Sequence, residues 1–123
     1  MRTTIIVTLE IEGIHRWPDA EKELPSVAFL SNPHRHMFHI KAEKVVEHND
    51  REVEIIMFKR HMESTIRTKY RDTTVGDGWR QVCQFGSRSC ETLAKEFIEE
   101  FTLVSCEVLE DGENGAKVVV IGR

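Results

Sequence analysis

The sequence predicts an α+β domain with the order β-β-α-α-β-β, in which four antiparallel strands form one sheet and two helices pack on one of its faces. Apolar and polar residues alternate near the N-terminus, which indicates a strand buried on one side. Apolar residues then recur at helical steps of three and four, and two short strand-like segments near the C-terminus flank an Asn-Gly step. The chain has 123 residues, so we expect one domain over residues 1–123.

Composition and charge exclude several classes of protein. With 17 Lys and Arg against 21 Asp and Glu, the formal net charge is −4, and there is no basic block of the kind that drives non-specific nucleic-acid binding. No apolar run approaches the ~20 residues that span a bilayer, and residues 1–4 lead into a strand-like pattern instead of a signal peptide. The three cysteines form no CxxC pair and cannot all pair with one another. We therefore expect a cytoplasmic protein with reduced thiols and no nucleic-acid or membrane partner.

The first half of the chain predicts two long strands. The first covers residues 3–14, and its buried face carries Ile5, Val7, Leu9 and Ile11. Residues 15–33 contain three prolines and predict a long loop without a stable helix. The second strand covers residues 35–47, and one of its faces carries His36, Phe38, Ile40, Ala42 and Val46.

The second half predicts two helices and a hairpin. The first helix ends near Lys69, and its apolar stripe consists of Ile55, Phe58, Met62 and Ile66. Residues 70–88 predict a loop. Ser89 caps the second helix, whose buried residues are Leu93, Ala94, Phe97, Ile98 and Phe101. The last two strands, residues 104–109 and 116–121, flank a turn that contains Asn114 and Gly115.

Three histidines are candidate metal ligands. His34 and His36 are two residues apart on one strand, so their side chains point to the same face. Hairpin pairing brings His15, at the end of the first strand, beside them. Three imidazoles with a fourth position left for water or substrate are a ligand set of catalytic zinc. The alternative is that His34 and His36 are ordinary polar residues at a strand start and that His15 fills a loop.

Four segments combine into a family resemblance. Gly13–Trp17 holds a histidine at a strand end, and His34–Phe38 reads His-Arg-His-Met-Phe. Arg88–Ala94 reads Arg-Ser-Cys-Glu-Thr-Leu-Ala, and Cys106–Asp111 reads Cys-Glu-Val-Leu-Glu-Asp. In order and position these segments resemble the 6-pyruvoyltetrahydropterin synthase / 6-carboxytetrahydropterin synthase family, whose motifs are Ala-Ala-His, His-Gly-His-Asn-Tyr, Pro-Thr-x-Glu-Asn-Leu-Ala and Val-x-Val-x-Glu-Thr. The resemblance covers nearly the whole chain.

The resemblance implies a fold, a cofactor and an activity. The fold is the tunnelling fold (T-fold), in which the sheets of several subunits join edge to edge into a barrel, so the resemblance implies a homo-oligomer, which in the family is a hexamer. Zinc would be bound by His15, His34 and His36. Glu110 would anchor the pterin ring, with Glu91 in the same substrate-binding set. The implied activity is that of a zinc-dependent lyase or hydrolase acting on a pterin or a related purine-derived compound.

Glu110 also has a role that follows from its chemistry. A carboxylate accepts two N–H bonds from a pterin-like or guanine-like edge, and a ring without those donors would leave the charge unpaired. The alternative is a solvated turn residue beside Asp111 and Glu113. Other side chains suited to such a ligand are the tryptophans, which can stack on a flat ring, and the arginines, which can bind a triphosphate. They are Trp17, Trp79, Arg16, Arg35, Arg80 and Arg88.

The chain departs from the family at the residues that transfer protons. The family has a Cys shortly before the His-x-His pair and an Asp-His pair after the first helix, whereas residues 29–31 hold no Cys and residues 65–72 hold no His. The candidate replacements are His39, His61, Asp72, Asp77 and Cys90, each of which is more often structural than catalytic in such a position. Two other hypotheses therefore stand beside the enzyme: a non-catalytic module that binds a pterin-like or nucleotide-like ligand, and a structural oligomer whose histidines are incidental.

Overall fold

The computed structural model describes residues 1–71 and 82–122 of the chain. The described strands are β1 (Thr3–His15), β2 (His34–Val46), β3 (Cys83–Gly86), β4 (Ser105–Glu110) and β5 (Asn114–Val119). The described helices are α1 (Ala20–Glu23), a 3₁₀ helix (Pro25–Ser31), α2 (Ile55–Lys69) and α3 (Cys90–Phe101). The α+β class is confirmed. Trp79, Arg80, Asp72 and Asp77 lie outside the described residues.

The strands form one mixed sheet in the order β3-β1-β2-β4-β5. β1 and β2 pair antiparallel over their full length, from Thr3 opposite Val46 to His15 opposite His34. β4 pairs antiparallel with β2 and with β5, whereas β3 pairs parallel with the end of β1. The sheet therefore differs from the expected four antiparallel strands by one added strand. β3 has only four residues, too few for an alternating pattern to reveal it within a segment that predicts a loop.

The two long helices pack on the face of the sheet that carries Phe38, Ile40 and Ala42. In α2 the buried residues are Phe58, Met62 and Ile66, as predicted, but Ile55 is 50% exposed because the stripe begins one turn later. In α3 all five predicted apolar residues are buried, and the Ser89 hydroxyl accepts a hydrogen bond from the Thr92 N–H, as predicted for its cap. No helix among the described residues is long and apolar enough to cross a membrane.

The segment between β1 and β2 contains helix, which the sequence reading did not expect. Proline is compatible with the first turn of a helix because it lacks only an N–H that has no partner there, and Pro25 begins the 3₁₀ helix. Ala20 of α1 is fully buried. The Trp17 N–H donates to the Leu30 carbonyl at 2.8 Å, so both ends of the segment lie together at the end of β1.

The turn of the last hairpin is not at the Asn-Gly step. Glu110 pairs with Asn114, and positive φ values of 56° at Asp111 and 72° at Gly112 make the turn. Gly115 lies inside β5, where a Cβ would come within 1.8 Å of the Val108 carbonyl oxygen. That glycine serves a close approach of two strands, so the predicted strand start at residue 116 was two residues late.

Candidate metal centre

Strand register brings four potential ligands to one end of the sheet. His15 and His34 are the last pair of the β1–β2 ladder, and His36 is two residues further along the same face of β2. Glu110, the last residue of β4, pairs with Phe38 and so reaches the same face. One ligand atom from each of these four side chains lies within 4.8 Å of the other three. The convergence predicted for the three histidines is therefore present, and a carboxylate joins them.

Each imidazole is held by a hydrogen bond at Nδ1. His15 donates to the Arg88 carbonyl at 2.9 Å, and His34 donates to the Asn32 carbonyl at 2.9 Å. His36 Nδ1 lies 2.7 Å from the Asp111 carboxylate. Because a carbonyl oxygen only accepts, the neutral rings of His15 and His34 would carry their proton on Nδ1, which leaves the lone pair of Nε2 for a metal. Metal-binding histidines in proteins are oriented in this way by a carbonyl or carboxylate partner.

His15 is the deepest of the four residues. It is 7% exposed, and among the described residues its Nε2 atom is the buried side-chain N or O atom that has no hydrogen-bond partner. Its ring lies edge-on to Phe38 with a centroid distance of 5.1 Å. Leaving a buried imidazole nitrogen without a partner costs free energy that a metal ion would remove.

The aromatic floor under the site depends on Gly13. A Cβ at this position would lie 2.4 Å from Cε2 of Phe85, so the Phe85 ring packs directly on the glycine. Phe85 in turn meets Phe38 edge-on at 5.0 Å. Gly13 therefore admits the ring that packs against Phe38, the residue that His15 meets edge-on.

Two carboxylates flank His36. Glu110 Oε2 lies 2.7 Å from His36 Nε2 and 3.5 Å from His15 Nε2. The other carboxylate, Asp111, accepts from His36 Nδ1 and, at 3.0 Å, from the Met37 N–H. These hydrogen bonds, with His36 contributing most, lower the pKa of Asp111 below its usual value, so it is ionised at neutral pH.

Asp111 is a site residue that sequence reading missed, since it was taken only as a turn neighbour of Glu110. Asp is one of the few residue types that tolerates the left-handed backbone found here. The Asp-Gly pair after β4 could have indicated this role, because such a pair favours a tight turn and the turn fixes the direction of the carboxylate.

A cavity of about 430 Å³ opens beside the four potential ligands. Of the predicted substrate-binding side chains, it is lined by Glu91, Glu110, Trp17, Arg16 and Arg88. Arg35 is elsewhere, because its guanidinium pairs with Glu12 at 2.8 Å. Leu30, one of the residues at which the sequence resemblance would put a Cys, lines the cavity.

The three candidate replacement bases that the structure describes, His39, His61 and Cys90, do not gather at the cavity in a reactive form. His39 lies near Glu10, and the His61 ring contacts Phe101, so neither belongs to the cavity lining. Cys90 lines the cavity, but burial, with a smaller contribution from the Glu110 charge, raises its pKa to about 12. Its thiol is therefore protonated at neutral pH and is a poor base or nucleophile.

The arrangement can hold a cation between three neutral imidazoles and one carboxylate, next to a cavity large enough for a small heterocycle. Neither a family model nor a curated protein matches this chain.

Proposed function

We propose that this protein is a zinc-dependent enzyme of the 6-pyruvoyl/6-carboxytetrahydropterin synthase type, acting on a pterin or a related purine-derived substrate in the cavity beside the four potential ligands. One observation carries the metal part of the proposal. One ligand atom of each histidine lies within 4.8 Å of those of the others while each Nδ1 is hydrogen-bonded, and the buried Nε2 atom of His15 has no hydrogen-bond partner among the described residues. Exposed histidines without a ligand do not require hydrogen bonds that orient all three rings towards one point.

Zinc is the metal that this ligand set favours. Imidazole nitrogens and one carboxylate oxygen are typical zinc ligands, and none of the four residues offers the soft sulfur that would favour copper(I). Bound zinc would polarise a substrate carbonyl or hydroxyl, or would lower the pKa of a bound water to about 7. His15, His34 and His36 would hold the metal in either case.

The cavity supports a flat, N–H-bearing ligand. Glu91 and Glu110 contribute carboxylates that accept N–H bonds, and Trp17 contributes an aromatic face. Arg16 and Arg88 add positive charge to the same lining, which suits a phosphorylated or carboxylated substrate. This combination supports a pterin-like or purine-like substrate over an apolar one.

The fold part of the proposal is a T-fold homo-oligomer. β5 is the last strand of the described sheet, and on the side of β1 away from β2 the described partner is β3, which covers only Gly13 to His15. Such open edges favour pairing with a strand of another copy. We propose that copies of the chain join at these edges into a barrel, as the family resemblance implies.

A second candidate function is a binding module without catalysis. Two observations favour it. Leu30, near the position where the resembled family has its Cys, lines the cavity without offering a thiol, and the Cys90 thiol stays protonated at neutral pH. In this alternative the metal and the carboxylates hold a pterin-like or nucleotide-like ligand that is not converted.

The test is metal content by elemental analysis of protein purified from zinc-replete cells, measured for the wild type, His36→Ala and His39→Ala. We expect about one zinc per chain in the wild type and in His39→Ala, and a loss of zinc in His36→Ala. Wild-type protein without metal would overturn the proposal. Turnover of pterin triphosphates by the zinc-loaded protein would then separate the enzyme from the binding module.

A further inference from the structure

We propose that Glu110 is the fourth ligand of this metal centre, so that the metal is held in a closed site and gains an open position only when the Glu110 side chain turns away. This inference rests on the proposed metal centre. It gives Glu110 a role different from that of a heterocycle anchor alone, and it makes access to the metal depend on what occupies the cavity.

Distances place the Glu110 carboxylate at the fourth corner of the site. Ligand atoms about 2.0–2.1 Å from a tetrahedral zinc lie roughly 3.3 Å from one another. Glu110 Oε2 lies 3.5 Å from His15 Nε2, close to that separation, and 2.7 Å from His36 Nε2. Both distances are therefore within about 0.6 Å of the separation expected around a tetrahedral zinc.

The surroundings of Glu110 give it few other positive partners. Its described contacts are the two imidazoles and the Cys90 thiol, whose Sγ lies 4.0 Å from Oε1. Its side chain is 29% exposed, so the carboxylate is partly desolvated and a nearby positive charge would offset the lost hydration. A metal ion between the four residues supplies that charge directly. The rival is a protonated His36 that donates to Glu110 and Asp111 at once, which requires no metal.

Ligation by Glu110 conflicts with its use as a heterocycle anchor. A carboxylate that accepts two N–H bonds from one ring edge uses both oxygens, so we expect a ligand that binds in this way to compete with the metal for Oε2. A ligand that displaced Oε2 would leave a coordination position for a substrate oxygen or water. Glu91 lines the same cavity outside the ligand group and would remain available to the ring.

The experiment uses Co²⁺ as a probe in place of zinc and records its visible absorption, which is intense for four-coordinate ions and weak for six-coordinate ones. Azide is then added, since a small anion changes the spectrum where a water molecule occupies a coordination position. The proteins are the wild type, Glu110→Gln, Glu110→Ala and Glu113→Gln. Glu113 is an exposed residue of the same turn, so its variant removes one nearby charge without removing a potential ligand.

We expect wild-type protein and Glu113→Gln to show the same four-coordinate spectrum, unchanged by azide. Both Glu110 variants should bind Co²⁺ at least tenfold more weakly and should respond to azide. An azide response in the wild type, with equal Co²⁺ affinity in the Glu110 variants, would overturn the inference and leave a three-histidine site with an open position. Wild-type protein that binds no Co²⁺, or binds it as well after His36→Ala, would overturn the metal centre itself and this inference with it.

Discussion

The six histidines of the chain divide into two sets that differ in their position in the fold and in their side-chain contacts. His15, His34 and His36 lie at one end of the sheet with ring centroids 4.6–5.5 Å apart. The other three are scattered. His39 Nδ1 lies 3.6 Å from Glu10, His48 Nε2 lies 3.7 Å from Glu52, and the His61 ring meets Phe101 edge-on at 5.7 Å.

The comparison shows that register and backbone acceptors, not histidine itself, make the candidate site. His36 and His39 are three residues apart on β2, so they point to opposite faces of the sheet. Only the first of these two meets other imidazoles and a carboxylate at hydrogen-bond distance. His39 is therefore a matched control for any statement about the site.

The largest expected effect is the loss of metal-dependent stability when a ligand is removed. Metal that binds only the folded state raises the free energy of unfolding by about 2.7 kcal/mol at a free concentration one hundred times Kd. A chelator should therefore lower the thermal unfolding temperature of the wild type and of His39→Ala, and should leave that of His15→Ala unchanged. Calorimetry with and without chelator measures this difference.

His15 is buried, so His15→Ala will lower stability even without metal, and the chelator response is the informative quantity. If the chelator had the same effect on His15→Ala as on the wild type, the metal would lie elsewhere. If it had no effect on the wild type, the two sets of histidines would not differ in the way we infer.

A smaller effect on metal affinity is expected at Asp111, which contacts His36 but is not one of the four potential ligands. Asp111→Asn keeps the turn, because Asn also tolerates the left-handed backbone. The His36 and Met37 hydrogen bonds end on different carboxylate oxygens, however, and Asn replaces one of those oxygens with an NH2 group that cannot accept. Loss of such an orienting partner typically costs 10–100-fold in metal affinity. We expect that loss in Asp111→Asn and none in Glu113→Gln, measured by competition with a chelating dye. Equal affinities in all three proteins would remove Asp111 from the site.

The sequence predicted the convergence of the three histidines better than it predicted their surroundings. Alternation along β1 and β2 fixes which face each histidine occupies, and antiparallel pairing of consecutive strands follows from their order, so His15, His34 and His36 could be expected to meet. The hydrogen-bond acceptors of His15 and His34 are the Arg88 and Asn32 carbonyls, and a backbone carbonyl cannot be recognised from residue identity. Such partners emerge only from the folded backbone.

Errors in the predicted fold have the same origin. The Asn114-Gly115 step has the composition of a tight turn, but Gly115 is required by the nearby Val108 carbonyl, and the turn forms at Asp111 and Gly112. Composition identifies which residues permit a conformation, whereas tertiary contacts decide which of two such positions adopts it. The strand that carries Phe85 is a second case, since residues 70–88 predicted a loop and the partner on which the Phe85 ring packs, Gly13, is distant in sequence.

The floor of the site can be tested through Gly13. Gly13→Ala forces a methyl group against the buried Phe85 ring, and overpacking of this kind costs typically about 1–3 kcal/mol of stability. Phe85→Leu should lower stability by leaving space, but the double variant should lose less than the sum of the two single losses because the methyl group then enters that space. Denaturant unfolding of the four proteins measures the coupling. Additive losses would show that the ring does not pack on Gly13 in solution.

The smallest effect is expected at Cys90, whose thiol lines the cavity but is not one of the four potential metal ligands. Burial first, and then the Glu110 and Glu91 charges, raise the pKa of Cys90 to about 12, so the native protein should not react with thiol reagents at pH 8 at this position. Cys90→Ala should retain the metal content of the wild type.

The raised pKa of Cys90 also makes stability depend on pH. Because the pKa is about 12 in the folded state and about 8.5 in the unfolded state, the protonated thiol contributes its full stabilisation below about pH 8.5, and this contribution is lost as pH rises towards 12. The stability difference between wild type and Cys90→Ala should therefore shrink between pH 8 and pH 11 in denaturant unfolding. Rapid modification of Cys90 at pH 8, or loss of metal in Cys90→Ala, would contradict this prediction. Cys90 would then again be a candidate to replace the cysteine of the resembled family.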